Sequence, residues 1–398
     1  MKLDNISPAK GHSEAELLLQ CARTQPADKA CERAEMSLET GIDWEHLFQT
    51  ADAHGVIPLL YKFLNETCRE TVPKHAITQL RDRFIRNAQS SLALTGELLK
   101  IFDLLKFHGI PAIAYKGPAL AAAVYGDIAL RQFVDLDILV RKQDVFDVKE
   151  ILIKQEYNPE FILTESQKAA FLDNHYDYAF LHNESRALVE IHWEVAEGFL
   201  SFPLSVECLL ERIQSVNIAG RQVATLSPED ALLVLCIHGS KHLWARLGWI
   251  CDVARLIEHE KDFNWQLTSE RAAALGSRRM LLLGLFLASN LLGAPLPEDV
   301  LQQAEADRAV LLLAEKVRKR LFDGRSNALG AVESSMFHLK MRERLRDKSK
   351  YCFRLAMTTT VRDWMFLPMP RSLFFLYYPL RPIRLAGKYA MKLLKSRF

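Results

Sequence analysis

The run Arg131-Gln132-Phe133-Val134-Asp135-Leu136-Asp137-Ile138-Leu139-Val140 sets two carboxylates two residues apart inside an apolar, strand-like stretch. Strand side chains alternate faces, so Asp135 and Asp137 share one side, about 6–7 Å apart, while Leu136, Ile138 and Val140 turn towards a core. At an effective dielectric near 20, two anions at that spacing repel by about 2–3 kcal/mol. A divalent cation between them would reverse that cost. The pair therefore reads first as a metal site; the plainer alternative is a strand end whose acids are solvated.

A chain of 398 residues, 49% of them apolar, is long enough for two or three compact units with a real core. Its net charge of +2 is unevenly placed: residues 341–398 hold 14 Lys+Arg against 3 Asp+Glu, and residues 1–340 hold 37 against 46. The body is mildly acidic and the tail basic, which predicts an anionic partner for the tail. Seven scattered cysteines without a CxxC spacing indicate neither a zinc knuckle nor a disulfide framework, and a reducing cytosol is expected. Met1–Ser7 lacks the apolar stretch of a signal peptide. The most apolar run, Met280 to Leu292, is shorter than the roughly 18 residues of a spanning helix and reads as a buried one.

Four regions follow from the pattern. Residues 1–108 read as helical, with Trp44, Leu47, Phe48 and Ala51, then Leu94, Leu98, Ile101, Phe102 and Leu105, at helical spacing. Residues 109–200 change character. A short strand at Ile110–Tyr115 ends at Lys116-Gly117, Pro118 suits the first turn of a helix through Ala119–Tyr125, and the Asp135/Asp137 strand follows. Gln143–Glu156 reads as a helix, and Tyr176–His182 with Ala187–Val195 as a hairpin. In its second strand Glu190, His192 and Glu194 share one face. From 201 to 325 the chain returns to helix, with Ser227-Pro228-Glu229-Asp230 as a strong start signal. Residues 326–398 form a basic, aromatic tail. The expected fold class is α+β, a mixed sheet embedded in a largely helical protein.

The series Lys116-Gly117, Tyr125-Gly126-Asp127, Arg131, Asp135-Leu136-Asp137 and Glu190-Ile191-His192-Trp193 resembles a bacterial family of nucleotidyltransferases within the DNA polymerase β-like nucleotidyltransferase superfamily. The resemblance covers roughly residues 40–280, including His238, His242, Trp249 and Asp252. It implies Asp135, Asp137 and Glu190 as catalytic metal ligands, with Glu190 also able to accept the nucleophile's proton. It implies Lys116, Gly117 and Arg131 near the nucleotide phosphates. Two Mg²⁺ ions and a nucleoside triphosphate are the implied cofactor and co-substrate, and carboxylate ligands suit magnesium. Three departures stand out. Glu190 takes the place of the usual Asp, Lys116 that of a small residue, and Pro118 removes a backbone donor from the turn.

Several readings stay open in the sequence. Lys116 either binds phosphate or forms a salt bridge. Arg131 either holds the triphosphate or clamps Asp127 or the acidic loop. His192 lines the site or packs, and Glu194 competes with Glu190. His238 and His242, four apart without an adjacent Glu, read as polar or core residues rather than as metal ligands. The aromatic and basic residues of Arg362–Phe398 suit peripheral contact with an anionic membrane, at the inner face of the cell membrane in an otherwise cytoplasmic protein. The leading function is metal-dependent nucleotidyl transfer to an acceptor hydroxyl; the alternatives are a non-catalytic nucleotide-binding or regulatory protein and, last, a nucleic-acid binder.

Overall fold

The computed structural model describes residues 12–24, 30–39, 41–196, 204–322, 330–357 and 376. Five helices come first: α1 (His12–Ala22), α2 (Ala30–Glu39), α3 (Trp44–His54), α4 (Ile57–Thr67) and the long α5 (Lys74–Phe107). The sheet region follows, as β1 (Ala112–Ala114), α6 (Gly117–Leu120), β2 (Asp135–Val140), α7 (Val145–Lys154), β3 (Tyr157–Pro159), α8 (Glu165–Asn174), β4 (Asp177–His182) and β5 (Leu188–His192). After the short α9 (Val206–Leu210) and a hairpin of β6 (Gln214–Ile218) and β7 (Arg221–Thr225), the chain is helical again. Those helices are α10 (Pro228–Lys241), α11 (Leu247–His259), α12 (Trp265–Leu275), α13 (Arg278–Leu292), α14 (Glu298–Ala306), α15 (Arg308–Phe322), α16 (Ala331–Met341) and α17 (Leu345–Met357).

The main sheet runs β1-β2-β5-β4-β3, with β2 and β5 parallel and every other pair antiparallel. The protein is α+β. One side of the sheet buries Leu136, Ile138, Val140, Val189 and Ile191 against Leu98, Ile101 and Leu105 of α5 and Val148 and Leu152 of α7. Each such side chain contributes about 1.5–3 kcal/mol by leaving water. On the opposite side Ile113, Tyr115 and Leu139 pack with Val206 and Leu209 of α9 and Val234 of α10. That second side is where alternation sends Asp135 and Asp137. A third core joins the helices before the sheet region to those after it, because Leu17, Phe48, Ile57 and Leu60 share one cluster with Leu247, Ile250, Leu283 and Leu313.

Several elements differ from the expected pattern. The return to helix after residue 200 is interrupted by β6 and β7, whose turn holds Ala219 and Gly220 both at positive φ (50° and 81°). That is the backbone of a two-residue hairpin turn, disguised by Ala where Asn or Asp usually stands. The last strand of the main sheet stops at His192, and Glu194 instead makes an isolated bridge with Ser205. The helix after Gly117 is regular only to Leu120 and widens into a π-helical turn over Ala121–Tyr125. Ser227 caps α10 through Asp230 N–H as expected. Cys21, Cys68, Cys208, Cys236, Cys251 and Cys352 are free thiols. Among the described residues no helix is long and apolar enough to cross a membrane. The tail expectation for Arg362–Phe398 lies outside the described residues, Leu376 excepted.

Candidate active site

Parallel pairing sets Asp137 directly opposite Glu190 and Leu139 opposite His192. Asp137, Glu190 and His192 therefore leave the sheet on one side, and one ligand atom from each lies within 4.8 Å of the others. His192 Nε2 sits between the two acids, 3.2 Å from Asp137 Oδ1 and 3.3 Å from Glu190 Oε2. Asp137 and His192 are almost wholly buried, whereas the Glu190 side chain keeps 27% of its surface exposed. Asp135, at the start of β2, stands opposite Leu188 and shares the face of Asp137. The opening of the site is thus marked by Glu190 and Asp135, and its floor by Asp137.

Two side chains that precede α6 close on that floor. Lys116 Nζ lies 2.6 Å from Asp137 Oδ1, and the Tyr115 hydroxyl donates to the same oxygen at 3.4 Å. Of the two readings left open for Lys116, the structure shows the salt bridge. Gly117 has φ +52°, and a Cβ there would come within 3.4 Å of the Asp135 carbonyl oxygen. The positive φ calls for glycine at this turn, while the Asp135 carbonyl would stand only at van der Waals distance from a Cβ.

Arg131 does not reach Asp127. Its Nε and Nη2 donate to the two carboxylate oxygens of Asp252 on α11, at 2.8 and 2.9 Å, and the Tyr125 hydroxyl donates to the same carboxylate at 2.9 Å. Asp127 instead accepts from Ala129 N–H, capping the turn before Arg131. This clamp fixes the loop ahead of β2 to the helical body.

The electrostatics of the acids diverge. Burial and the neighbouring Asp137 charge push Asp135 up to about 6. Burial would also raise Asp137, but the Lys116 ammonium and the His192 hydrogen bond outweigh it and hold that carboxyl well below its ordinary range. For His192, burial opposes protonation, yet its hydrogen bonds to Asp137 and Glu190 prevail and raise it. Two carboxylates on one strand thus shift in opposite directions, Asp135 up and Asp137 down.

Above the acids, Tyr176 packs its ring 5.7 Å from His192, and its hydroxyl accepts from Lys241 Nζ at 2.7 Å. His238 and His242 lie 4.7 Å apart, ring to ring, against Trp249, and the ligand cluster found among the described residues does not include them. Tyr115 and Tyr176 carried no sequence signal: each flanks a strand and reaches the acids only through the fold.

Residues 40–293 match the model of a family described as uncharacterised nucleotidyltransferase. The chain belongs to that family. It is accordingly a nucleotidyltransferase, with its acids on the face built by β2 and β5. One solved structure, of the antibiotic-resistance factor ANT(2'')-Ia, is 14% identical to this nucleotidyltransferase over 57% of this chain and 91% of that one, with a TM-score of 0.26. A likeness that low says nothing of this chain's substrate. No curated protein matches the sequence.

Proposed function

We propose that the chain moves a nucleoside monophosphate from a nucleoside triphosphate to an acceptor hydroxyl, with Asp135, Asp137 and Glu190 as the working acids. The observation that carries this reading is the meeting of Asp137, Glu190 and His192 across β2 and β5, with Asp135 on the same face. Two carboxylates and an imidazole within 4.8 Å form a donor set that fits a divalent cation. Held by Asp137 and Glu190 with Asp135 or His192 beside them, such a cation, magnesium by its preference for carboxylate oxygen, would acidify the hydroxyl and offset charge on the leaving pyrophosphate.

The protein's own groups account for the rest. In the transfer the acceptor oxygen bonds to the α-phosphorus, the bond to the β-phosphate bridge breaks, and pyrophosphate leaves with the electron pair. Glu190, the most exposed acid of the cluster, takes the hydroxyl proton, while His192 holds its carboxylate in place. Lys116 keeps Asp137 ionised until substrate enters. The Gly117 turn lets backbone approach a phosphate without a side chain in the way.

Asp137→Ala and Glu190→Gln are each expected to lower triphosphate-dependent release of labelled pyrophosphate by about 100-fold or more. Full activity in Asp137→Ala would sink the mechanism. Incubation of the protein with labelled triphosphates and a cell extract identifies the acceptor by what becomes labelled. A second reading, a nucleotide-binding protein without turnover, is favoured by one observation: Lys116 already neutralises Asp137 at 2.6 Å. Calorimetric binding of nucleotide with no pyrophosphate release would select it. The basic tail adds peripheral contact with anionic lipid, and absence of liposome flotation at low salt would remove that element.

A further inference from the structure

α10 lies along the acid side of the sheet. Val234 packs there with Leu139 and Tyr115, and His238 and Lys241 follow on the same helical face. His238 stands in the fields of Lys116 and Asp137, and Lys241 reaches Tyr176 beside His192. Where α10 gives way to α11, two bulky residues in succession, Leu243 and Trp244, adopt left-handed backbone (φ 60° and 54°). Such a conformation is strained for a bulky residue and persists only where the surroundings enforce it.

The enforcement is visible. The Trp244 indole is wholly buried in a socket made by two glycines: a Cβ at Gly239 would fall 2.5 Å from its ring, and one at Gly284 3.1 Å. Arg320 donates to the Leu243 carbonyl from α15. What this held turn delivers is the arrangement just beyond it. The Trp249 ring lies 5.2 Å from those of His238 and His242, and the Arg246 guanidinium sits 5.7 Å over it. Trp249 is half-buried, while His242 and Arg246 are exposed. A half-covered indole with a cation over its ring is a platform for a flat base whose attached phosphates carry negative charge.

We propose that the base of the nucleoside triphosphate stacks on Trp249 beside His242 and Arg246, its phosphates directed to the Gly117 turn and the acids. The proposal rests on the nucleotidyl-transfer reading for the position of the phosphates, and adds the site that recognises the base. Stacking of a base on an aromatic side chain is worth about 1–3 kcal/mol, or roughly 5- to 150-fold in affinity.

The test is calorimetric titration of the full chain with the four nucleoside triphosphates and, separately, with inorganic tripolyphosphate. Trp249→Leu is expected to weaken the nucleotide by roughly 10-fold or more and to leave tripolyphosphate unchanged, with Trp249→Phe close to wild type. Nucleotide affinity unaltered by Trp249→Leu, or equal loss of both ligands, overturns the proposal. A photoreactive azido derivative of the nucleotide, used on the wild-type protein, gives a readout independent of any folding defect. Crosslinks within residues 242–255 support the site, and crosslinks confined elsewhere overturn it. A variant that changes transfer only at saturating nucleotide would assign Trp249 to the acceptor instead, and overturns it too. Failure of every nucleotide to bind the wild-type protein would remove the transfer reading itself, a result distinct from binding that ignores Trp249.

Discussion

Asp135 is the least comfortable ionised group on β2, pushed up to about 6 by burial and by Asp137. In the unfolded chain a carboxyl of this type titrates near 3.9. The folded protein therefore holds this proton more tightly, and stability is lost as pH rises from about 4 through 6. Asp135→Asn removes that loss. Its thermal midpoint at pH 7.5 is expected a few degrees above wild type, with the gap closing below pH 4. A lower midpoint for the variant at pH 7.5 would show that the carboxylate is a stabilising partner instead. Added Mg²⁺ is expected to raise the wild-type midpoint and to do less for Asp135→Asn. At this scale the three acids were legible in the sequence, because a strand's two-residue period puts Asp135 with Asp137, and Glu190 with His192, on single faces. A salt bridge for Lys116 was one of two readings, without Asp137 named as its partner, and the two tyrosines were not legible at all, since each depends on how separate elements meet.

Between elements, the Arg131–Asp252 pair does the joining. Both side chains are nearly buried, at 11% and 3% exposure, and the π-helical turn over Ala121–Tyr125 ends on the tyrosine that completes the clamp. Removing one partner leaves the other charge buried and unmatched, which costs about 3–5 kcal/mol. Arg131→Met alone is expected to lose that much in urea unfolding, and Arg131→Met with Asp252→Leu to regain a large part. A single variant as stable as wild type would mean that the pair bears no weight. Local chemistry decided which elements could be read. Ser227-Pro228 announces α10 with a cap and a fixed φ, whereas the Ala219-Gly220 turn hides β6 and β7 behind an alanine. β3 spans only three residues, too few for a period to show.

Across the whole molecule, His54 on α3 shows how the helical flanks lock. Its Nδ1 accepts from Leu247 N–H of α11 at 3.4 Å, and its Nε2 contacts the Leu321 carbonyl of α15 at 3.0 Å. Burial is the main reason its proton affinity is lowered. Because the unfolded chain protonates this ring near 6.5 and the folded one resists, stability is full above that pH and falls as pH drops below it. The urea midpoint of His54→Gln relative to wild type is expected to rise as pH drops from 7.5 to 5; a difference that stays constant with pH would exclude His54 as a contributor. Periodicity revealed helices on both sides of the sheet, but not that α1–α4 and α10–α15 bury one shared set of side chains, since long-range pairing leaves no local trace. That shared burial has a consequence for biosynthesis. The first helices emerge from the ribosome long before the segment that covers them, and at about 5–20 residues per second the gap from residue 80 to residue 320 lasts roughly 12–50 s. Throughout that interval the nascent chain displays sticky, half-finished surface that only the later helices cover.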